Sequence, residues 1–157
     1  MSYAEILCSI VMALNMPNSD FACKHMDAVV EAAEHYDVEP ELLISLIHHE
    51  SRWNPTVVSR SGACGLTQVI PKYTKNPRLT CKQLKRPKTS IWAGAKMLSY
   101  WIHKYANDIP KIGVCAYFAG FRCKGNNPNI GGMRYSNKVR RFYRRIIRKL
   151  ENDVPGC

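Results

Sequence analysis

The chain has 157 residues, 46% of them apolar, and carries 23 Lys and Arg against 12 Asp and Glu, a net charge of +11. That length folds as one domain and buries a core without staples, so neither a linker nor a second domain is needed. The charge calls for a polyanionic partner or surface, whether nucleic acid, anionic lipid or a bacterial cell wall, and cannot by itself choose among them.

Hydrophobic periodicity predicts helix nearly throughout, beginning with an N-terminal helical extension over residues 1–22 in which the helix spans about 3–14. Its longest apolar run, Ile10 to Leu14, falls far short of the ~20 residues that span a bilayer, and no Lys or Arg precedes Lys24. Neither a transmembrane helix nor a cleaved secretory signal is expected. A turn follows at Asn15 to Asp20, then helices over about 24–36 and 40–52, the second opened by Pro40 with Glu39 and Glu41 beside it. Residues 54–90 are rich in Pro, Gly, Lys and Thr and predict an ordered loop region with one short helix around 81–85. Helix returns from Ser90 to Lys104, with Ile91, Ala95, Leu98 and Ile102 on one side, and again from Lys111 to Gly120. Gly125 to Gly132 is polar and turn-rich. The last helix, Asn137 to Leu150, sets Val139, Phe142, Tyr143, Ile146, Ile147 and Leu150 against a face of Arg and Lys. The fold class is mainly α, a single domain over residues 1–157.

Seven cysteines, an odd number with no C-x-x-C pair, suggest neither a zinc ribbon nor a complete disulfide framework. Free, buried thiols are the expectation, with one or two bridges if the protein works in an oxidising compartment.

Chemistry concentrates first at Glu50. Leu43, Leu46, Ile47 and Glu50 occupy the i, i+3, i+4, i+7 positions of one helical face, so the carboxylate continues an apolar stripe. Burial disfavours the ionised form, and a helix about to end at Pro55 places its negative dipole end nearby, which acts in the same direction. A carboxyl group held neutral near neutral pH can serve as a general acid; the plainer alternative is a glutamate that caps the stripe with its head in water. Between Ser51 and Leu150 the only other carboxylate is Asp108, so a catalytic Glu50 would lack the second carboxyl group that ordinary glycosidases use. The upstream acids Asp27, Glu31, Glu34, Asp37, Glu39 and Glu41 read as solvated surface. His48-His49-Glu50 does not make a zinc helix, because H-E-x-x-H would need His where Trp53 stands, and no metal or cofactor is expected.

The second informative stretch is Ser59 to Pro71. Gly62 and Gly65 allow positive φ or close backbone approach, while Ser59 and Gln68 offer donors and acceptors to a neutral polar ligand or, equally, cap turns.

Taken in order, these stretches resemble the soluble lytic transglycosylase-like domains of glycoside hydrolase family 23, related to goose-type lysozyme. Glu50-Ser51-Arg52-Trp53-Asn54-Pro55 is similar to the family's catalytic Glu, Ser and aromatic-Asn-Pro. Ser59 to Gln68 resembles Ser-x-x-Gly-Ala-x-Gly-Leu-Met-Gln with Thr67 in place of Met. Ser90 to Leu98 resembles a helix motif with Ser90 in place of Asn, and Ala116-Tyr117-Phe118-Ala119-Gly120 is similar to Ala-Tyr-Asn-Ala-Gly. The resemblance covers about residues 24–145. Two departures stand out: Phe118 replaces an Asn found in many members, and Gly131 stands where many carry a Glu four residues before a Tyr, here Tyr135.

The resemblance implies a lysozyme-like, goose-type fold with a substrate groove. It implies cleavage of the β-1,4 bond between N-acetylmuramic acid and N-acetylglucosamine in peptidoglycan, with a 1,6-anhydromuramic end as product. Glu50 would be the catalytic acid and then base, with Ser59, Gln68 and Tyr117 lining the sugar groove. Peptidoglycan strands are the expected partner of a monomer, with no nucleic acid, and the basic last helix would contact anionic wall or membrane. A compact basic protein of this kind, without a secretion signal, is expected to be a bacteriophage lysin acting in the periplasm. Rival readings are a hydrolytic goose-type lysozyme and a non-catalytic wall-binding module.

Overall fold

The structure, a computed structural model, describes residues 1–153. Eight α-helices make up most of it: α1 (Tyr3–Ala13), α2 (Ser19–Lys24), α3 (Met26–His35), α4 (Pro40–Ser51), α5 (Cys81–Leu84), α6 (Pro87–Ser99), α7 (Pro110–Ala119) and α8 (Ile130–Asp153). A 3-10 turn lies at Pro71–Tyr73, and α6 continues as a π-helical segment over Tyr100–Tyr105. No helix among the described residues is long and apolar enough to cross a membrane.

The central helix is α4. Pro40 sits in its first turn, where the missing N–H has no helical partner to lose. Every residue from Glu41 to Ile47 is buried, so this helix is enclosed all round. It ends at Ser51, because Arg52 and Trp53 take left-handed conformations with φ of 50° and 63°. Asn18 donates its side-chain amide to the Arg52 carbonyl at 2.8 Å, and the reversal drives Trp53 into the core at 1% exposure. Helices α1, α3, α6 and α8 pack around α4, contributing Leu7, Val29, Leu98 and Ile146 among others to one cluster. The N-terminal helix thus belongs to the core, through Leu7, Ile10 and Val11.

Three sequence expectations need correction. The turn expected over Asn15 to Asp20 is cut short by a further helix, α2, that starts at Ser19, while the helix expected over about 24–36 is α3, Met26–His35. The last helix starts at Ile130 rather than Asn137. The polar, glycine-rich residues before it suggested a turn, but Gly132 is an approach point: a Cβ there would lie 2.7 Å from Cys115 Sγ and 2.8 Å from Ala119 Cβ. Only glycine lets α8 come this close to α7.

The third correction concerns the thiols, which form Cys8–Cys23, Cys64–Cys81 and Cys115–Cys123 disulfides; Cys157 lies outside the described residues. Each joins neighbouring segments over short sequence separations of 15, 17 and 8 residues. Spacing of this kind carries no pairing signature, so only the fold reveals the pairs. The second bridge fastens the Gly62–Gln68 loop to the start of α5.

Candidate active site

Glu50 lies half-buried in the last turn of α4, in no ion pair among the described residues and with the Tyr135 hydroxyl beside its carboxyl group. Burial pushes its pKa up from 4.5 to about 7, against the pull of the Tyr135 hydroxyl. Its neighbours in sequence do not oppose this. His48 is driven down to about 4 by burial, and His49 is lowered by burial too, so neither brings the positive charge that would keep Glu50 ionised at neutral pH.

Two tyrosines enclose the carboxyl group. Tyr117 comes from α7 and Tyr135 from α8, and both hydroxyls are held far above their usual pKa, first by burial and then by the charge of Glu50. They remain protonated donors at any physiological pH. Tyr117 donates to the Thr67 carbonyl at 2.7 Å, which fixes its ring. Tyr135 Oη is buried, has no hydrogen-bond partner of ordinary geometry among the described residues, and lies near enough to hold the Glu50 pKa down.

The loop before α5 is anchored where the sequence departs from its family pattern. Thr67 donates its hydroxyl to the Ser90 carbonyl at 2.7 Å, and Ser90 Oγ accepts from the Thr67 amide at 3.1 Å. The two substitutions, Thr for Met and Ser for Asn, are therefore one contact, and they set the carbonyl that Tyr117 binds. Gly94 makes room for it: a Cβ there would lie 2.3 Å from Thr67 Cγ2.

The predicted ligand-binding residues separate into two groups. Gln68 and Tyr117 line a groove of about 1240 Å³ together with Tyr73, Trp92, Tyr100, Trp101, Phe118 and Phe121. Gln68 gives both amide protons to backbone, to Val57 at 3.0 Å and Gly65 at 2.9 Å, leaving its carbonyl oxygen for other partners. Ser59 stands apart from that groove. Its Oγ accepts from the Ala63 amide at 3.1 Å and shares a hydrogen bond with Ser61 at 2.9 Å, closing its own turn. Glu50 borders the groove through Tyr117 rather than lining it.

Two further features were not among the sequence candidates. Tyr135 was only a spacing landmark there, although its position four residues after Gly131 was the available signal. Glu41, read as solvated surface, is 6% exposed and bonded to the Tyr3 hydroxyl, because α1 covers it. Asp108, the one carboxylate downstream of Ser51 and before Leu150, holds His103 Nδ1 at 2.5 Å on the surface, away from Glu50.

A helical domain closing on one glutamate of raised pKa between two tyrosines, at the edge of an aromatic groove, is a lysozyme-like class of fold. The chain belongs to the transglycosylase SLT domain family, whose model matches residues 27–138. Among similar proteins, the membrane-bound lytic murein transglycosylase C of Edwardsiella ictaluri is 45% identical over 49 residues, 31% of this chain and 14% of that protein. The protein of the same name from Yersinia pestis is 32% identical over 97 residues, 56% of this chain. The chain spans 27% of that relative's length. The solved structure of an inactive glutamate-to-glutamine mutant of lytic transglycosylase Slt from Pseudomonas aeruginosa superposes with a TM-score of 0.73 at 18% identity, over 95% of this chain and 30% of that one. The likeness establishes the lysozyme-like fold.

Proposed function

We propose that the chain is a peptidoglycan lytic transglycosylase that cleaves the β-1,4 bond between N-acetylmuramic acid and N-acetylglucosamine with Glu50 as its acid and base. The observation that carries the reading is a glutamate with a pKa of about 7 and no second carboxylate beside it among the described residues. A protonated Glu50 gives its proton to the bridging oxygen as the C1–O bond breaks, releasing the N-acetylglucosamine side as an alcohol. The muramic 2-acetamido oxygen supports the positive charge at C1. The C6 hydroxyl then attacks C1 and returns its proton to the Glu50 carboxylate, leaving a 1,6-anhydro ring and a reprotonated enzyme. Water takes no part, which agrees with the lack of a carboxylate partner to activate it; ordinary inverting and retaining hydrolases use two.

Gln68 and Tyr117 bind the glycan in this reading, Gln68 through its carbonyl oxygen and Tyr117 through the ring that lines the groove. Ser59 supports the loop that carries Gln68 and reaches substrate only if its turn opens. The relatives named membrane-bound lytic murein transglycosylases support peptidoglycan as substrate. Three disulfides support action in an oxidising, wall-facing compartment such as the periplasm. We extend the reading to a monomeric bacteriophage lysin whose basic α8 face is drawn to the anionic wall; the net charge of +11 supports that attraction.

Mass spectrometry of digested peptidoglycan tests the chemistry: anhydromuramic ends are expected, and hydrated reducing ends would establish a lysozyme instead. Activity on purified wall should fall between low and moderate ionic strength, and an unchanged rate removes charge attraction. Added to outer-membrane-permeabilised Gram-negative cells, the protein should clear their turbidity; intact cells would refute the lysin assignment.

A further inference from the structure

Phe118 and Gly131, apart in sequence and each a departure from the family pattern, meet in space. Phe118 leaves α7 one residue after Tyr117 and stacks on the Tyr135 ring, with centroids 5.1 Å apart and planes 24° from parallel. A Cβ at Gly131 would touch Phe118 Cε1 at 3.5 Å, so a longer side chain there would compete with the ring for the same space. The absence of a side chain at Gly131 leaves Phe118 free to lie over Tyr135, whose hydroxyl neighbours Glu50.

Phe118 is nonetheless 58% exposed and lines the groove. A ring that exposed contributes little to the core, so packing does not account for it. One face rests on Tyr135, and among the described residues no other ring stacks on the opposite face.

We propose that Phe118 is a sugar-binding platform whose open face takes the apolar C–H face of an N-acetylhexosamine ring next to the bond that Glu50 cleaves. The inference rests on the glycan-cleaving reading above. A β-1,4-linked pyranose presents axial C–H groups on a flat face, and an aromatic ring offers them dispersion and a negative quadrupole. Phe118 has no donor or acceptor, so this contact reads the shape of the sugar ring rather than its hydroxyl or acetamido groups. Tyr135 holds the platform at a fixed height beside the acid.

The test is binding, measured in Glu50→Gln protein so that no turnover intervenes. The tetrasaccharide of β-1,4-linked N-acetylglucosamine is titrated by calorimetry into that parent and into versions also carrying Phe118→Leu or Phe118→Trp. Leu keeps apolar bulk over Tyr135 without a flat face, and Trp restores one. Phe118→Leu should weaken binding about tenfold, and Phe118→Trp should recover most of the loss, with thermal melting showing all three folded. Equal affinity of the Leu version, equal loss in both versions, or no measurable binding by the parent each overturns the platform. If the native enzyme yields no anhydro ends while the binding series behaves as expected, the reaction reading fails and the platform stands; the reverse pattern separates them the other way.

Discussion

Glu41 and Glu50 lie on the same helix, nine residues apart, Glu41 buried and Glu50 half-buried. Burial raises the pKa of each. The difference lies in what meets the carboxyl group. Glu41 sits in the first turn of α4, where the helix dipole favours negative charge, and the Tyr3 hydroxyl of α1 donates to it. Glu50 sits in the last turn, where the dipole disfavours charge, and faces Tyr135 without a closed hydrogen bond of ordinary geometry. Burial alone therefore makes no active site. The acid in the first turn fastens α1 to α4, and the acid in the last turn, beside the groove, is left with a proton to give.

The largest effect expected from this contrast is on rate. Glu50→Gln should lower kcat by about a thousandfold or more, within the range general acid–base catalysis supplies, whereas Glu41→Gln should leave the rate near that of the native enzyme. Turnover of muropeptides by the two proteins checks it, and comparable losses would erase the distinction. In the native enzyme kcat/KM should fall as pH rises through about 7, because the first step needs Glu50 protonated. A profile flat to pH 9 would mean that another group gives the proton.

The next effect is on stability and has the opposite sign. The folded pKa of Glu50, about 7, exceeds its unfolded value near 4.5, so between those pH values the folded state holds the proton that the unfolded state has lost. Stability therefore declines from about pH 4.5 to 7 and stays lower above that. The span of the shift corresponds to about 3 kcal/mol, an order-of-magnitude figure. Glu50→Gln removes this penalty, so its unfolding midpoint in urea should exceed that of the native protein at pH 8 and approach it at pH 4. A variant less stable at pH 8 would show that Glu50 is structurally satisfied.

The sequence made this contrast half legible. Glu50 could be read because its partners in chemistry lie close by in the chain: the apolar stripe before it, the Trp53-Asn54-Pro55 stop after it, and the glycine loop nine residues on from Glu50 to Ser59. Helix types were legible for the same reason, since periodicity is a local property. Glu41 could not be read, because Tyr3, the residue that covers it, is 38 positions away and nothing local marks the pairing. The three disulfides and the closeness of Thr67 to Ser90, 23 positions apart, were hidden likewise. Gly132 misled because a glycine that admits a neighbouring helix looks in sequence like one that turns the chain.

The smallest effect separates a fastening role for Glu41 from mere burial. Tyr3→Phe deletes the hydroxyl that donates to Glu41 and leaves the ring, so packing is kept and one buried acceptor loses its partner. The expected loss of stability is about 1–3 kcal/mol. It should grow as pH rises through the titration of Glu41, whose pKa burial raises, because the ionised carboxylate most needs the donor, and shrink toward acid, where protonation leaves a neutral group that tolerates burial. The double variant Tyr3→Phe, Glu41→Gln should then be less sensitive to pH than Tyr3→Phe alone, because the group whose charge needed the hydroxyl is gone. Through all of this the pH at which kcat/KM falls should stay where Glu50 sets it. If Tyr3→Phe moved that limb, the two ends of α4 would be electrostatically joined, and the contrast between a fastening acid and a reactive one would give way to a single coupled pair.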